Sequence, residues 1–320
     1  MCALFNGNEG EKKSLKRLLE RRFAPFFVIV AAALWGVDGI VLRPSLYTLP
    51  VIFVVMVEST AATLIMTPFF LRQFPKLKNL NYKEWGSLLG VAILGGAVGT
   101  LAITKAIFYV QYINLSVVVL IQKLQPVFAI TLAAILLKER LPKIFIKWAV
   151  IALVGAYFMT FGAHLPDFKT GDKTLLAAGF ALLATISFAS STVLSKRLLR
   201  KIDFHFATYL RFLVTAILMI GLAIFTQKIE VIHQVSQKQW LVFLMIVLFT
   251  GAPAIFLYYF GLKQIPASVS TICELAFPIT AILLEYAIYH KYLSVLQWIG
   301  TVVLLYSIVK ISGMINFWED

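Results

Sequence analysis

Seven ionisable residues sit inside stretches that are otherwise apolar: Asp38, Glu58, Lys105, Lys123, Arg211, Glu274 and Glu285, with Lys105 and Glu285 close to the stretch ends, where long side chains reach the interface. The sharpest case is "LSVVVLIQKLQPVFAITLAAILL", residues 115–137, where Lys123 lies between Gln122 and Gln125 and Pro126 follows within a turn. A charge at the centre of an apolar helix in lipid costs about 2.5–3.5 kcal/mol on insertion scales, so such groups are functional candidates by default. An ammonium or guanidinium receives a carboxylate or phosphate; a carboxylate receives an amine or a proton. Both signs together suit a zwitterionic, amino-acid-like solute better than a plain cation or anion. Trp35, Phe108, Tyr258 and Tyr259 offer faces on which a ring stacks or a cation rests. The candidate binding set is therefore Trp35, Asp38, Glu58, Gln122, Lys123, Arg211, Tyr259 and Glu274. The competing reading is two ion pairs, Glu58 with Lys123 and Arg211 with Glu274, that only pin helices together.

Other chemistries find no support. The four histidines, His164, His205, His233 and His290, have no metal-ligand spacing. Cys2 and Cys273 are far apart and define no disulfide framework. There is no phosphate-binding glycine loop, no nucleophile elbow and no pair of catalytic carboxylates on one helix. The expectation is a protein that is not an enzyme and needs no cofactor or metal. A sensor or scaffold without transport remains the different-class alternative, but the loops are too short for the extra soluble domain it would carry.

The whole chain explains why those charges are unusual. Its 320 residues are 60% hydrophobic and only 14% charged, with a mean hydropathy of +0.88. A soluble protein of this size cannot hide so much apolar surface, so the class is all-α integral membrane. At roughly 20 apolar residues per crossing, ten spans are expected near 24–42, 49–71, 85–108, 114–137, 142–162, 174–195, 204–226, 239–261, 266–289 and 293–314. With the N-terminus cytoplasmic, twenty lysines and arginines fall inside and seven outside, which predicts both termini in the cytoplasm. The formal charge of +14 is then a topology signal and a face for anionic lipid, not a nucleic-acid patch.

The sequence also repeats. Shifted by 152 residues, Gly99 meets Gly251, Ser116 meets Ser268 and Pro126 meets Pro278, with fourteen of fifty-seven positions identical from Gly99 to Gly155. Within one residue, the shift lays Asp38 over Ser190 and Glu58 over Arg211. Five spans per copy is an odd number, so the copies enter the membrane from opposite sides. Inverted repeats place a transporter's site at their interface, on matched interrupted helices. Pro126 and Pro278 mark those breaks in the fourth and ninth spans, because proline removes a donor and clashes with the preceding turn. Gly86, Gly90, Gly95, Gly96 and Gly99 keep one side of the third span thin for close helix approach.

The chain resembles the EamA-type permeases of the drug/metabolite transporter superfamily over nearly its whole length. The resemblance is carried by "AAALWGVDGIVLRP", "LLGVAILGGAVGTLAITKAI", "LQPVFAITLAAILLKERL" and "GFALLATISFASSTVLSKRLL". It implies two five-helix halves around a polar central cavity, working by alternating access in a bacterial inner membrane, as monomer or homodimer. It divides the chain into a basic N-terminal segment (1–22), a first repeat (23–162), an outer linker (163–173) and a second repeat (174–315). The implied partners are a small-molecule substrate and the lipid bilayer, with no nucleic acid. The implied cargo is an amino acid or a related metabolite. The alternative is uptake or exchange of a nucleoside-linked compound such as S-adenosylmethionine. The chain departs from the family's pattern at Glu58, where an arginine is common, and at Lys291, which stands opposite Glu139 in the repeat.

Overall fold

The structure is a computed structural model that describes residues 9–109, 115–165, 174–290 and 292–313, with side chains outside the description at 9–20, 107–109, 115–117 and 174. The only regular secondary structure among the described residues is helical, with ten helices long and apolar enough to cross a membrane. We label them α1 (Arg21–Leu46), α2 (Val51–Asn79), α3 (Tyr82–Ala106), α4 (Val118–Leu136), α5 (Lys143–Phe161), α6 (Leu175–Leu199), α7 (Phe204–Phe225), α8 (Gln237–Gln264), α9 (Ala267–Tyr289) and α10 (Val295–Gly313). The span count agrees with the sequence reading, and the span ends agree to within four residues except in α2, which continues to Asn79 where the sequence reading ended the span at 71. The expected outer linker lies almost wholly outside the described residues, as do Cys2 and the side chain of Phe108.

Helix packing exposes the inverted repeat. The helix α1 packs on α8 and α9, while α6 packs on α3 and α4; α2 pairs with α7, and α5 with α10. Exchanging α1 with α6, α3 with α8 and α4 with α9 returns the same set of contacts, as a two-fold axis between the halves requires. Local irregularities repeat too. The third helix of each half starts on a capping box, Asn81 with Glu84 and Ser236 with Gln239, which satisfies two orphan N–H groups at the lipid boundary. Each then passes through a π-helical stretch, Val91–Val98 in α3 and Ile246–Gly251 in α8. Each fourth helix is broken. In α4 the break falls between helices Leu115–Gln122 and Gln125–Leu136, and in α9 between Ala267–Cys273 and Ala276–Tyr289. Pro126 and Pro278 are buried just beyond the breaks, inside the second helix of each pair. Proline cannot donate to the preceding turn, so the break precedes it.

Lipid offers packed helices no hydrophobic advantage, so close approach decides which of them adhere. A Cβ on Gly155 of α5 would stand 2.9 Å from the backbone nitrogen of Leu304 in α10, and one on Gly300 would strike the backbone at Met159. In α3, Gly95 faces Ser191, Gly96 faces Thr215 and Gly99 faces Phe188, as the thin-sided span requires, whereas Gly86 meets open space.

One end of the bundle gathers the loops that carry Lys76, Lys138, Arg140, Lys196, Arg200 and Lys263; we call it the basic face. There Asp203 accepts from Lys76 at 3.2 Å and lies 3.5 Å from Lys263. The Lys76 hydrogen bond, with Lys263 in support, holds the Asp203 carboxyl below its usual range. Its stabilising contribution is therefore present above that range and is lost as the pH falls through the depressed value. Half exposed, this latch contributes little.

Gly155→Val and Gly300→Val each force α5 and α10 apart, at an overpacking cost of about 1–3 kcal/mol. We expect a lower melting temperature in detergent for both, and wild-type behaviour for Gly86→Ala as the control.

Candidate functional site

The break in α9 places a carboxylate between the two halves. Residues 274 and 275 form the turn between the two helices of α9, so Glu274 projects from a point where the helix has lost its regular ladder. Tyr258 Oη of α8 donates to Glu274 Oε1 at 2.7 Å and stands 3.1 Å from Thr192 Oγ1 of α6. The Thr192 hydroxyl is 3.5 Å from the same carboxylate oxygen. Gln125, at the break of α4, donates through Nε2 to Glu274 Oε2 at 3.2 Å. Trp35 of α1 lies against Tyr258 with ring centroids 5.3 Å apart. One carboxylate thus gathers side chains from α4, α6 and α8, with Trp35 of α1 packed on its tyrosine partner.

A basic group borders this cluster. Arg211 of α7 donates through Nη1 to Tyr259 Oη at 3.3 Å, and its guanidinium lies 5.8 Å from the centre of the Tyr259 ring. Tyr259 Oη is also 2.9 Å from Ser195 Oγ of α6. Tyr258, Tyr259, Thr192 and Ser195 are buried; Glu274, Gln125, Trp35 and Arg211 are half-buried. The arrangement offers stacking faces, neutral donors, one carboxylate and one guanidinium inside a low-dielectric bundle. Among the described residues no group of side chains is suited to hold a metal ion.

Two expected ion pairs are corrected. Glu58 pairs with Arg43, 3.4 Å away, not with Lys123. Arg211 bonds to Tyr259 and makes no salt bridge to Glu274, whose partners are neutral donors. The physical reason is the break in α9: it turns Glu274 toward the hydroxyls of α6 and α8. Asp38 and Glu58 form a separate cluster around Arg43, with Asp38 Oδ2 accepting from Arg43 Nε and Nη2 at 2.8 and 2.6 Å. Lys123 and Gln122 stand at the break of α4, and among the described residues Lys123 has no carboxylate within ion-pair distance. Of the expected set, Trp35, Arg211, Tyr259 and Glu274 come together. Tyr258, Thr192 and Gln125 join them without having been put in that set; the signal on α6 was the small polar residues Ser191, Thr192 and Ser195 spread over one turn.

The basic face is closed by a carboxylate from the first repeat on a helix of the second. Glu139 accepts from the backbone nitrogens of Ala267 and Ser268 at 2.8 and 3.0 Å and from Ser268 Oγ at 2.5 Å. A negative charge here meets the first free N–H groups and the positive end of the helix that leads to Glu274. Lys196 of α6 adds bonds to the carbonyls of Leu262 and Lys263, at 2.9 and 3.0 Å. Beside these contacts opens a recess of about 430 Å³ lined by Arg21, Lys138, Glu139, Arg140, Lys196 and Arg200 among others. At the opposite face, Gln239 Nε2 donates to Ser45 O at 3.2 Å and Thr48 Oγ1 at 2.9 Å, and Tyr289 Oη donates to Ile40 O at 3.2 Å.

Comparison with known proteins agrees with this architecture. The EamA-like transporter family matches twice, at residues 22–161 and 175–313. The chain is 43% identical over 288 residues to a Fusobacterium nucleatum protein named riboflavin transporter ImpX, covering 90% of this chain and 96% of that one. It is 28% identical over 239 residues to an uncharacterized transporter of Synechocystis, covering 73% of this chain and 67% of that one. A crystal structure with 16% sequence identity superposes with a TM-score of 0.69 over 93% of this chain and 98% of that chain, a likeness of fold alone.

The cap formed by Glu139 yields a direct stability test. Glu139→Ala leaves two backbone donors of α9 without their acceptor, a loss of about 1–3 kcal/mol. Glu139→Gln retains one acceptor oxygen and loses less. Thermal melts of the two variants in detergent should rank wild type above Gln and Gln above Ala.

Proposed function

The chain belongs to the EamA-like transporter family, and we propose that it moves riboflavin or a closely related flavin between the two faces of a bacterial inner membrane. It is a multi-pass membrane transporter and not an enzyme. The observation that carries the cargo reading is the 43% identity to a protein named for riboflavin transport across nearly the full length of both chains. The side chains around Glu274 suit such a solute. An isoalloxazine ring is flat, uncharged and edged with carbonyl and N–H groups, and its ribityl chain carries hydroxyls. Trp35, Tyr258 and Tyr259 present ring faces for it, Gln125 and Thr192 present amide and hydroxyl partners, and Glu274 accepts from hydroxyls or ring N–H. A neutral ring brings no charge of its own and so leaves the balance between Glu274 and the nearby Arg211 unchanged.

Arg211 beside this cluster keeps a second reading in play, the zwitterionic amino-acid-like solute suggested by the deep charges. It would place a carboxylate on Arg211 and an amine on Glu274. The amino-acid assignment draws nothing from the relatives, so we place it second, together with S-adenosylmethionine.

Transport in this reading is a rocking of the two halves. The basic face is cytoplasmic, following the excess of lysine and arginine there. Opening it releases Glu139 from Ser268 and Ala267, and opening the other face releases Gln239 from Thr48 and Tyr289 from Ile40. The breaks in α4 and α9 are the places where one half of a helix swings without the other.

Flavin binding has an intrinsic reporter, the quenching of flavin fluorescence in a tyrosine- and tryptophan-lined site. Purified protein should quench riboflavin saturably, and Trp35→Ala and Glu274→Ala should each weaken binding about tenfold or more, the equivalent of 1.4 kcal/mol. Absence of quenching by riboflavin, with saturable binding of a radiolabelled amino acid or of S-adenosylmethionine, would assign the site to the second reading.

A further inference from the structure

The Asp38–Arg43–Glu58 cluster takes no part in the arrangement around Glu274, and its charges do not balance. Arg43 gives Asp38 Oδ2 two short bonds, at 2.8 and 2.6 Å, but reaches Glu58 only at 3.4 Å. The side chains of Asp38 and Glu58 are 10% and 17% exposed. Asp38 Oδ1 and Glu58 Oε1 are buried and make no hydrogen bond. Two carboxyls therefore share one guanidinium, where a surplus negative charge is costly. The phenols of Tyr47 and Tyr289 also face the cluster, and α9, which packs on this turn, carries Glu285 and Tyr286, with His290 just past its end, as its other ionisable groups nearby in sequence. The π-helical stretch of α8, Ile246–Gly251, packs against this turn of α1 and has no ionisable residue, and α2 contributes Glu58 alone.

We propose that this cluster takes up and releases one proton, carried by Glu58, and that uptake accompanies closure of the outer face; the transport cycle it would couple to rests on the reading above. Glu58 is the carrier because Asp38 already holds Arg43 through two short bonds. The proton comes from the outer aqueous phase, bonds to the Glu58 carboxylate and leaves to the cytoplasmic side later in the cycle, so charge and atoms balance without another reactant. The location makes the link to gating. Asp38–Leu42 is a π-helical turn that packs on α9, and within it Ile40 O accepts the Tyr289 bond that ties α1 to α9. Just beyond Arg43, Ser45 and Thr48 hold the Gln239 clip. With Glu58 ionised, its repulsion from Asp38 strains this turn; with Glu58 neutral, one carboxylate and one guanidinium remain and the turn settles against α9.

The decisive experiment reads the proton directly. Infrared difference spectra of the protein in nanodiscs, neutral against alkaline, should contain the C=O stretch of a protonated carboxyl that is lost in Glu58→Gln. It should also be lost in Asp38→Asn, where Arg43 is free to neutralise Glu58 alone. A spectrum unchanged in both variants overturns the proposal, whatever the cargo. In proteoliposomes, an inward proton gradient should drive riboflavin accumulation with proton entry recorded by an enclosed pH dye. Glu58→Gln should lose that dependence and keep counterflow exchange. Accumulation driven by Na⁺ and indifferent to the pH gradient also overturns it. Absence of flavin counterflow in the wild type would count against the cargo reading, with the infrared result still deciding the proton.

Discussion

Hydrocarbon leaves no polar group a partner outside the protein, and this one constraint organises the molecule. Charges and interrupted turns within the ten helices are stabilised where they find a complement inside the bundle. Glu274 finds it in Tyr258, Thr192 and Gln125, drawn from three helices. Asp38 and Glu58 find it in one arginine, incompletely. The open N-terminal turn of α9 finds it in Glu139 from the other repeat. These bonds do what apolar contact cannot do in lipid, which is to specify which helices belong together.

The same bonds divide into those within a half and those between halves. Glu139 to Ser268 and Lys76 to Asp203 join the halves at the basic face, and Gln239 to Thr48 and Tyr289 to Ile40 join them at the other. Glycine-lined crossings such as Gly155 against α10 are close backbone contacts rather than polar clasps. A helix pair held by close packing and a rim held by hydrogen bonds differ in how easily they part. That contrast is what the proposed alternation of two open faces requires, and in that proposal the breaks beside Lys123 and Glu274 serve as hinges.

Much of this was legible in the sequence. The count of spans, the repeat offset and the breaks before Pro126 and Pro278 follow from local rules of length and proline chemistry. Pairing was not legible, because it depends on rotation of each helix about its own axis. Arg43 reads as one of the outer loop charges, yet the turn from Asp38 to Leu42 is π-helical and brings it back to Asp38 and Glu58. Glu274 reads as a partner for Arg211, but the break in α9 aims it at hydroxyls. Lys123 has its expected place at the α4 break without its expected partner. Thr192 and Ser195 carried only a weak signal, since serine and threonine are common in membrane helices and usually bond within their own turn.

The central claim is that the two rims open in alternation around the cluster at Glu274. Spin labels on Lys138 and Gln264 across the basic face, and in a second sample on the exposed Tyr47 and on Lys238 across the other, report both gaps by pulsed electron resonance in nanodiscs. Alternation predicts that saturating riboflavin shifts the two distance distributions in opposite senses, one narrowing as the other widens. Distributions that stay fixed, or that widen together, would contradict it.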